Sequence, residues 1–260
     1  MLEPQGATDL VTGFDSNNWL RIVKPVGEGR VWRFEQQARL RRYDERDDLN
    51  SFLLTPRIQY WAPVGENWQM RASVEGSVLN RDGDRHYTRL QAEGQLRYRG
   101  NADRETVLRM RANQYDFGDQ VVAGLDQSQW RAGIEQYGYG EQRRSGWYLA
   151  GFYTMADADA DRFSFSEAQL RARAWWPLDE QTRGELRLEA SQRDYDGVFS
   201  ALQAFNREDT RWRATGRVEH GLGDRVTLFG EAGYGDNDSN IALRSYSGAV
   251  FQVGFRIENR

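Results

Sequence analysis

The sequence predicts an all-β chain, folded as an antiparallel up-and-down transmembrane β-barrel of twelve strands, with fourteen as the alternative count. Three observations predict it. Apolar and charged residues alternate with a period of two in segment after segment, as they do on a strand whose faces see different surroundings. Most segments run about ten to fourteen residues, longer than the roughly five or six of an ordinary soluble strand and long enough for the roughly 9–11 a tilted strand needs to cross a bilayer. The connections between them alternate between compact turns and longer, more acidic loops.

Twelve segments carry the alternation, at 31–43, 52–62, 67–79, 87–98, 106–116, 129–139, 146–155, 163–176, 184–194, 210–220, 225–235 and 248–258. The second offers Phe52, Leu54, Pro56, Ile58, Tyr60 and Ala62 on one face. The third offers Trp68, Met70, Ala72, Val74, Gly76 and Val78, against Arg71 and Glu75 opposite. The fourth sets Leu90, Ala92, Gly94, Leu96 and Tyr98 against Arg89, Glu93 and Arg97. The eighth, "EAQLRARAWWP", sets Ala168, Leu170, Ala172, Ala174 and Trp176 against Glu167, Gln169, Arg171 and Arg173. The tenth sets Trp212, Ala214, Gly216 and Val218 against Arg211, Arg213, Arg217 and Glu219, and the last carries Phe251, Val253, Phe255 and Ile257. The seventh, "WYLAGFYTM", is apolar on both faces, and its pattern does not orient it.

The apolar face is rich in Ala, Gly, Val and Leu along its middle and aromatic at its ends. A packed soluble core calls for larger aliphatics, whereas lipid packs around any surface and membrane barrels carry aromatic girdles at both interfaces. One girdle is expected to hold Trp32, Tyr60, Trp68, Tyr98, Trp147 and Trp176; the other Phe52, Tyr87, Trp130, Trp212 and Tyr234. The turns "PVGEN", "RGNADRE", "EQRRS", "PLDEQTR" and "GLGD" are compact. The loops "DERDDLNS", "NRDGDRH", "FGDQVVAGLDQS", "ADADADR", "DYDGVFSALQAFNRED" and "DNDSNIALRSYS" are longer. Short turns on one side and long loops on the other put both termini in the periplasm.

Residues 1–30 read as a lead-in to a barrel over 31–258. "KPVGEGRVW" echoes "APVGENWQ", so 25–30 is expected to be another turn. Short strands at "DLVTGF" and "NNWLRIV" would then form an extra hairpin and make the count fourteen. Met1-Leu2-Glu3-Pro4 lacks the basic start and apolar core of a signal peptide.

Composition sets the remaining bounds. With 39% hydrophobic residues and a mean hydropathy of -0.82, no segment can form a membrane-spanning helix of roughly 20 apolar residues. Cys is 0, which removes disulfides, thiol nucleophiles and cysteine metal sites. A net charge of -4 without a basic block argues against nucleic-acid binding. Lys24 is the only lysine, so the basic residues are almost all Arg.

Taken together, the dyad repeats, girdles and turn–loop alternation over about 31–258 resemble the Gram-negative outer-membrane β-barrels, porins among them. That resemblance implies a bacterial outer-membrane location, contact with lipid and lipopolysaccharide, and a polar lumen. The lumen candidates are Arg71, Arg89, Arg97, Arg109, Arg111, Arg131, Arg171, Arg173, Arg187, Arg211, Arg213 and Arg217, with Glu75, Glu93, Glu135, Glu189, Glu219 and Glu231 among them. Arginine rings favour anions and phosphate-like groups, and Arg holds carboxylates bidentately. In size and lumen chemistry the chain is similar to the small porins for acidic sugars, such as the oligogalacturonate-specific porins. The expected function is porin-like passage of small, anionic solutes. The alternatives are a lumen network in which ion pairs only satisfy one another, and a non-conducting anchor or secretion barrel with a periplasmic domain or partner.

No cofactor and no metal are expected. Asp157, Asp159 and Asp161 alternate like calcium ligands, but Arg162 and Ala168 stand where an EF-hand loop needs Gly and Glu. Of the two histidines, His86 sits at a loop end with no serine near it in sequence and His220 precedes the turn "GLGD", so no catalytic triad is expected and the chain is not expected to be an enzyme.

Overall fold

The structure, a computed structural model, describes residues 13–44, 46–119, 121–200, 203–223 and 225–257. The described residues form a single antiparallel sheet of 13 strands in strictly sequential order. They are β1 (Gly13–Gly27), β2 (Arg30–Tyr43), β3 (Ser51–Pro63), β4 (Trp68–Arg81), β5 (Asp84–Asn101), β6 (Arg104–Phe117), β7 (Gln127–Tyr139), β8 (Gly146–Ala158), β9 (Phe165–Pro177), β10 (Thr182–Ser200), β11 (Gln203–Leu222), β12 (Val226–Ser239) and β13 (Tyr246–Ile257). Each of the twelve alternating segments falls on one of β2–β13. Up-and-down order follows from the tight turns: a two-residue link can only join antiparallel neighbours.

The strand count differs from the expected twelve. Residues 13–27 form one 15-residue strand, paired with β2 from Gly13↔Tyr43 to Gly27↔Arg30, not two short segments. Most of the expected "DLVTGF" strand lies outside the described residues. With 13 strands, Gly13 stands at the loop end of the sheet and Ile257 at the turn end, so the described ends do not share one side. Among the described residues β1 and β13 each pair with one neighbour and not with each other, so the sheet has two open edges.

Two loops are shorter than the sequence suggests. "NRDGDRH" closes as a two-residue turn at Asp82 (φ 51) and Gly83 (φ 83). Both residues are left-handed, the geometry that matches strand twist in a hairpin and favours Asp-Gly. Glu28 (φ 47) and Gly29 (φ 74) repeat it between β1 and β2. "DYDGVFSALQAFNRED" is mostly strand, because β10 and β11 continue to 19 and 20 residues and project as a long hairpin. Three of the other four loop-end connections carry single turns of 3₁₀ helix, η1 (Asp47–Leu49), η3 (Asp161–Phe163) and η4 (Ala242–Arg244), and η2 (Glu141–Arg143) lies in the turn between β7 and β8.

Among the described residues few large aliphatic side chains are shielded. The large apolar side chains stand on the outer face in the open: Met110 and Leu170 are each 63% exposed. Among the described residues most side chains shielded from solvent are polar, among them Gln59, Glu75, Gln91, Glu93, Glu105, Glu135, Glu185 and Asp209, with Val107, Phe152, Phe165 and Ile241 the larger apolar ones between them. This inverts the arrangement of a water-soluble sheet, whose apolar face turns inward. The outer face also carries a crevice of about 1010 Å³, floored by Ala72, Ala92, Gly94 and Ala112 between larger neighbours such as Trp32, Tyr60 and Trp130.

The expected girdle residues lie on this outer face, with one exception. Trp32 packs on Tyr60 and Trp68 on Tyr98, each at 4.8 Å between ring centroids, and Trp212 packs on Tyr234 at 5.6 Å. Trp130, Trp147 and Trp176 are exposed. Tyr87 is the exception: it shares the parity of Arg89 and Glu93 and packs inward on Tyr115 at 5.7 Å. The seventh predicted segment, β8, is oriented here. Trp147, Leu149, Tyr153 and Met155 point out, and Ala150, Phe152, Thr154 and Ala156 point in.

Candidate functional site: the arginine-lined inner face

Register builds the inner face. Because neighbouring strands pair residue for residue, charged positions of one parity line up in rows across the sheet. One row runs Ser73, Glu93, Arg111, Arg131, Thr154, Glu167, Arg193, Asp209 and Ser239 from β4 to β12. Another runs Arg97, Val107, Glu135, Ala150, Arg171, Glu189 and Arg213 from β5 to β11. A one-residue slip would carry every one of these charges to the apolar face, so the pattern fixes the register.

All twelve candidate arginines lie on this face, and ten reach a carboxylate. Glu93 gathers three of them: Arg71, Arg109 at 3.3 Å, and Arg111 through two bonds of 2.9 and 2.6 Å. Arg109 also donates to Glu135 at 2.5 Å, and Arg89 joins Arg57 on Glu75. Arg97 reaches Glu105 at 3.0 Å. Arg173 and Arg187 share Glu185 with Arg183, and Arg171 reaches Glu189 at 3.0 Å. Arg217 bridges Glu219 at 2.9 Å and Glu231 at 3.4 Å. Arg211 joins Asp209 at 3.2 Å and Asn237.

Two stand apart. Arg131 donates to Gln169 and lies 4.3 Å from the Phe152 ring centroid. Arg213 has no carboxylate within ion-pair distance among the described residues; it lines a cleft of about 420 Å³ with Arg193, Arg211 and Ser191. Shared carboxylates leave the guanidiniums in excess, so the face is net positive where Arg71, Arg109 and Arg111 surround one Glu93.

Sequence reasoning missed two partners of this network. Amides complete it: Gln59 donates to Glu35, Gln95 to Glu93, and Gln169 to Glu189. Inward aromatics support guanidiniums by cation–π contact. Trp61 lies under Arg33, Arg71 and Arg97 at 5.3–5.5 Å, and Phe229 lies under Arg217 at 4.1 Å. The signal was present, since each of these residues shares the parity of the arginines, but a ring on a charged parity reads as noise.

The histidines sit elsewhere. His86 packs beside Tyr87 and Phe117. His220 Nδ1 is 2.9 Å from the Thr182 hydroxyl, which donates to Asp179 at 2.7 Å. The acid there holds the hydroxyl, not the far side of the imidazole as a triad requires. Asp179 belongs to the turn before β10. The Thr182 hydroxyl and the backbone N–H of Gln181 hold its carboxyl below the usual range. Asp157, Asp159 and Asp161 are exposed, and among the described residues no group of three or more acidic or histidine side chains is placed to hold a metal ion.

An up-and-down sheet with an apolar outside and a charged inside is the architecture of the outer-membrane β-barrels, porins included. Solved structures of that kind share the fold. An outer-membrane protein of Vibrio cholerae, OmpT with its loop L8 deleted, aligns with a TM-score of 0.53 and 10% identity over 96% of this chain and 99% of its own. An anion-selective porin from Comamonas acidovorans aligns with a TM-score of 0.52 and 14% identity over 93% of this chain and 88% of its own. No protein-family model matches the chain, and no curated protein matches its sequence.

Proposed function

We propose that the chain is a bacterial outer-membrane channel that passes small solutes and prefers anions. The observation that carries this reading is the pairing of an exposed apolar outer face with an inner face on which arginines outnumber the carboxylates they share. Lipid tails satisfy the first. The second gives a pore wall of fixed positive charge, which draws anions in and holds them weakly enough to release. Arg131 and Arg213 are the wall positions freest to meet a solute, because neither is held by a carboxylate in ion-pair contact. The outer face meets phospholipid and lipopolysaccharide, with Trp and Tyr at the two interfaces. The fold shared with an anion-selective porin supports the same reading.

Liposome swelling tests it. Proteoliposomes should admit glucuronate faster than glucosamine, a cation of nearly the same size. Equal rates would remove the anion preference, and no swelling with either solute would remove the channel.

A further inference from the structure

A second cluster of arginines stands above the inner face, at the loop end. η3, η4, the β6–β7 loop and the projecting ends of β10 and β11 enclose a cleft of about 440 Å³. That lies within the size range of small-molecule sites, roughly 300–1,000 Å³. Four guanidiniums line it. Two are committed: Arg193 to Glu167 at 2.8 and 2.5 Å, and Arg207 to Asp209 at 2.8 and 2.6 Å. The other two, Arg162 on η3 and Arg244 on η4, have no carboxylate partner among the described residues. Arg162 lies 4.8 Å from the Phe163 ring centroid and Arg244 5.9 Å from that of Phe199.

The cleft also holds an acceptor without a donor. Gln127 Oε1 is buried and has no hydrogen-bond partner among the described residues, and Gln127 lines the same space. A buried carbonyl oxygen left unpaired is costly, so a bound molecule that brings a hydroxyl there gains more than one that does not. The frame is rigid. Ser164, which ends η3, accepts from the Ala158 N–H at 2.9 Å through its hydroxyl and from the Asp196 N–H at 3.0 Å through its carbonyl. Gly197 lets the hairpin close on η3: a Cβ there would stand 2.4 Å from the Arg162 backbone nitrogen.

We infer that this cleft is a solute-recognition site for a monosaccharide-sized, hydroxylated organic anion, a sugar acid or sugar phosphate. Arg162 and Arg244 take the anionic group, Gln127 Oε1 accepts from a ring hydroxyl, and the aromatic walls cover the C–H face of the sugar. Arg193 lines both this cleft and the lower one with Arg213, so a solute released from the first meets the second. The inference rests on the channel reading for its purpose, but its test does not.

The test is calorimetric titration of the whole protein in detergent micelles with glucuronate, glucose 6-phosphate, glucose and inorganic phosphate. Glucuronate or glucose 6-phosphate should bind, and the stronger of the two identifies the anionic group. Glucose and inorganic phosphate should each bind at least about tenfold more weakly, the scale of one charge-assisted hydrogen bond. The R162Q and R244Q substitutions should each weaken the sugar anion by roughly tenfold or more. Q127M should weaken glucuronate but leave cyclohexanecarboxylate, which has no hydroxyl, unaffected. R162K and R244K keep the charge and serve if the Gln variants fold poorly; the loss of the planar fork should still weaken binding. Unaltered affinity in both arginine variants, or no binding of either sugar anion, overturns the site. Binding that follows these rules in a protein that passes no current keeps the site and removes the channel. Anion-selective current without such binding does the reverse.

Discussion

Removing the charge of Glu93 with the near-isosteric E93Q substitution tests the inner network where it is densest. Glu93 is nearly buried and holds Arg71, Arg109 and Arg111. The amide keeps the size and one acceptor oxygen but leaves three guanidiniums facing one another. A unit charge pair about 4 Å apart attracts by about 4 kcal/mol at an effective dielectric of about 20. Breaking a buried pair costs about 3–5 kcal/mol in practice. Arg109 keeps Glu135 at 2.5 Å, and all three arginines retain some solvent contact, which places E93Q at the lower end, about 3 kcal/mol. Urea unfolding from lipid vesicles, followed by tryptophan fluorescence, measures it. Arg46→Gln, which removes the exposed pair with Asp48 at 2.8 Å, is the control and should leave the midpoint where it is. A loss below about 1 kcal/mol for E93Q, the level of a surface pair, would refute the view that this network is a buried, mutually dependent structure.

Further expectations concern the faces, the turns and the wall charge. Val74→Arg on the outer face should cost about 2–4 kcal/mol in the same titration, as an arginine does near a bilayer midplane, while Ser73→Arg beside Glu93 should cost far less. Asp179 has a lowered carboxyl pKa, so its contribution is complete above its ordinary value of 3.8 and fades as pH falls through the lower folded value. D179N should therefore lose stability at neutral pH and lose part of the acid dependence below pH 3.8, read from unfolding midpoints across that range. Gly83→Val, at φ 83 with open space around it, should destabilise the β4–β5 hairpin by about 1 kcal/mol or more through backbone strain alone. Arg213→Glu should reduce anion preference in single-channel recordings.

The sequence made the strands legible because two solvents act on the two faces of each one. Lipid outside and water inside leave a period-two signature that survives in the segments of β2–β13 other than β8. The signal fails where one residue type serves both faces. β8 is apolar on its inner side because Ala150 and Ala156 are small and Phe152 supports Arg131 and Arg171. Tyr87 reads as a girdle residue for the same reason: an aromatic ring suits an interface and also an inner cluster, here against Tyr115, which lies under Arg89. Connections were read less well. "NRDGDRH" has the composition of a loop, yet two left-handed residues suffice to close it, and the β10–β11 hairpin continues beyond the alternation that marks crossing strands. The placement of the twelve arginines on one face was visible from parity alone. Arg162, Arg244 and Gln127 were not seen as a group, because they come from distant turns that only the folded loops bring together.

The reversal potential under a steep KCl gradient across a planar bilayer tests the central claim most directly. An open lumen walled by excess arginine predicts discrete conductance and a reversal potential on the chloride side of zero, shifting toward zero in R131Q and R213Q. A reversal potential on the potassium side, or a membrane that stays silent with folded protein inserted, would contradict it.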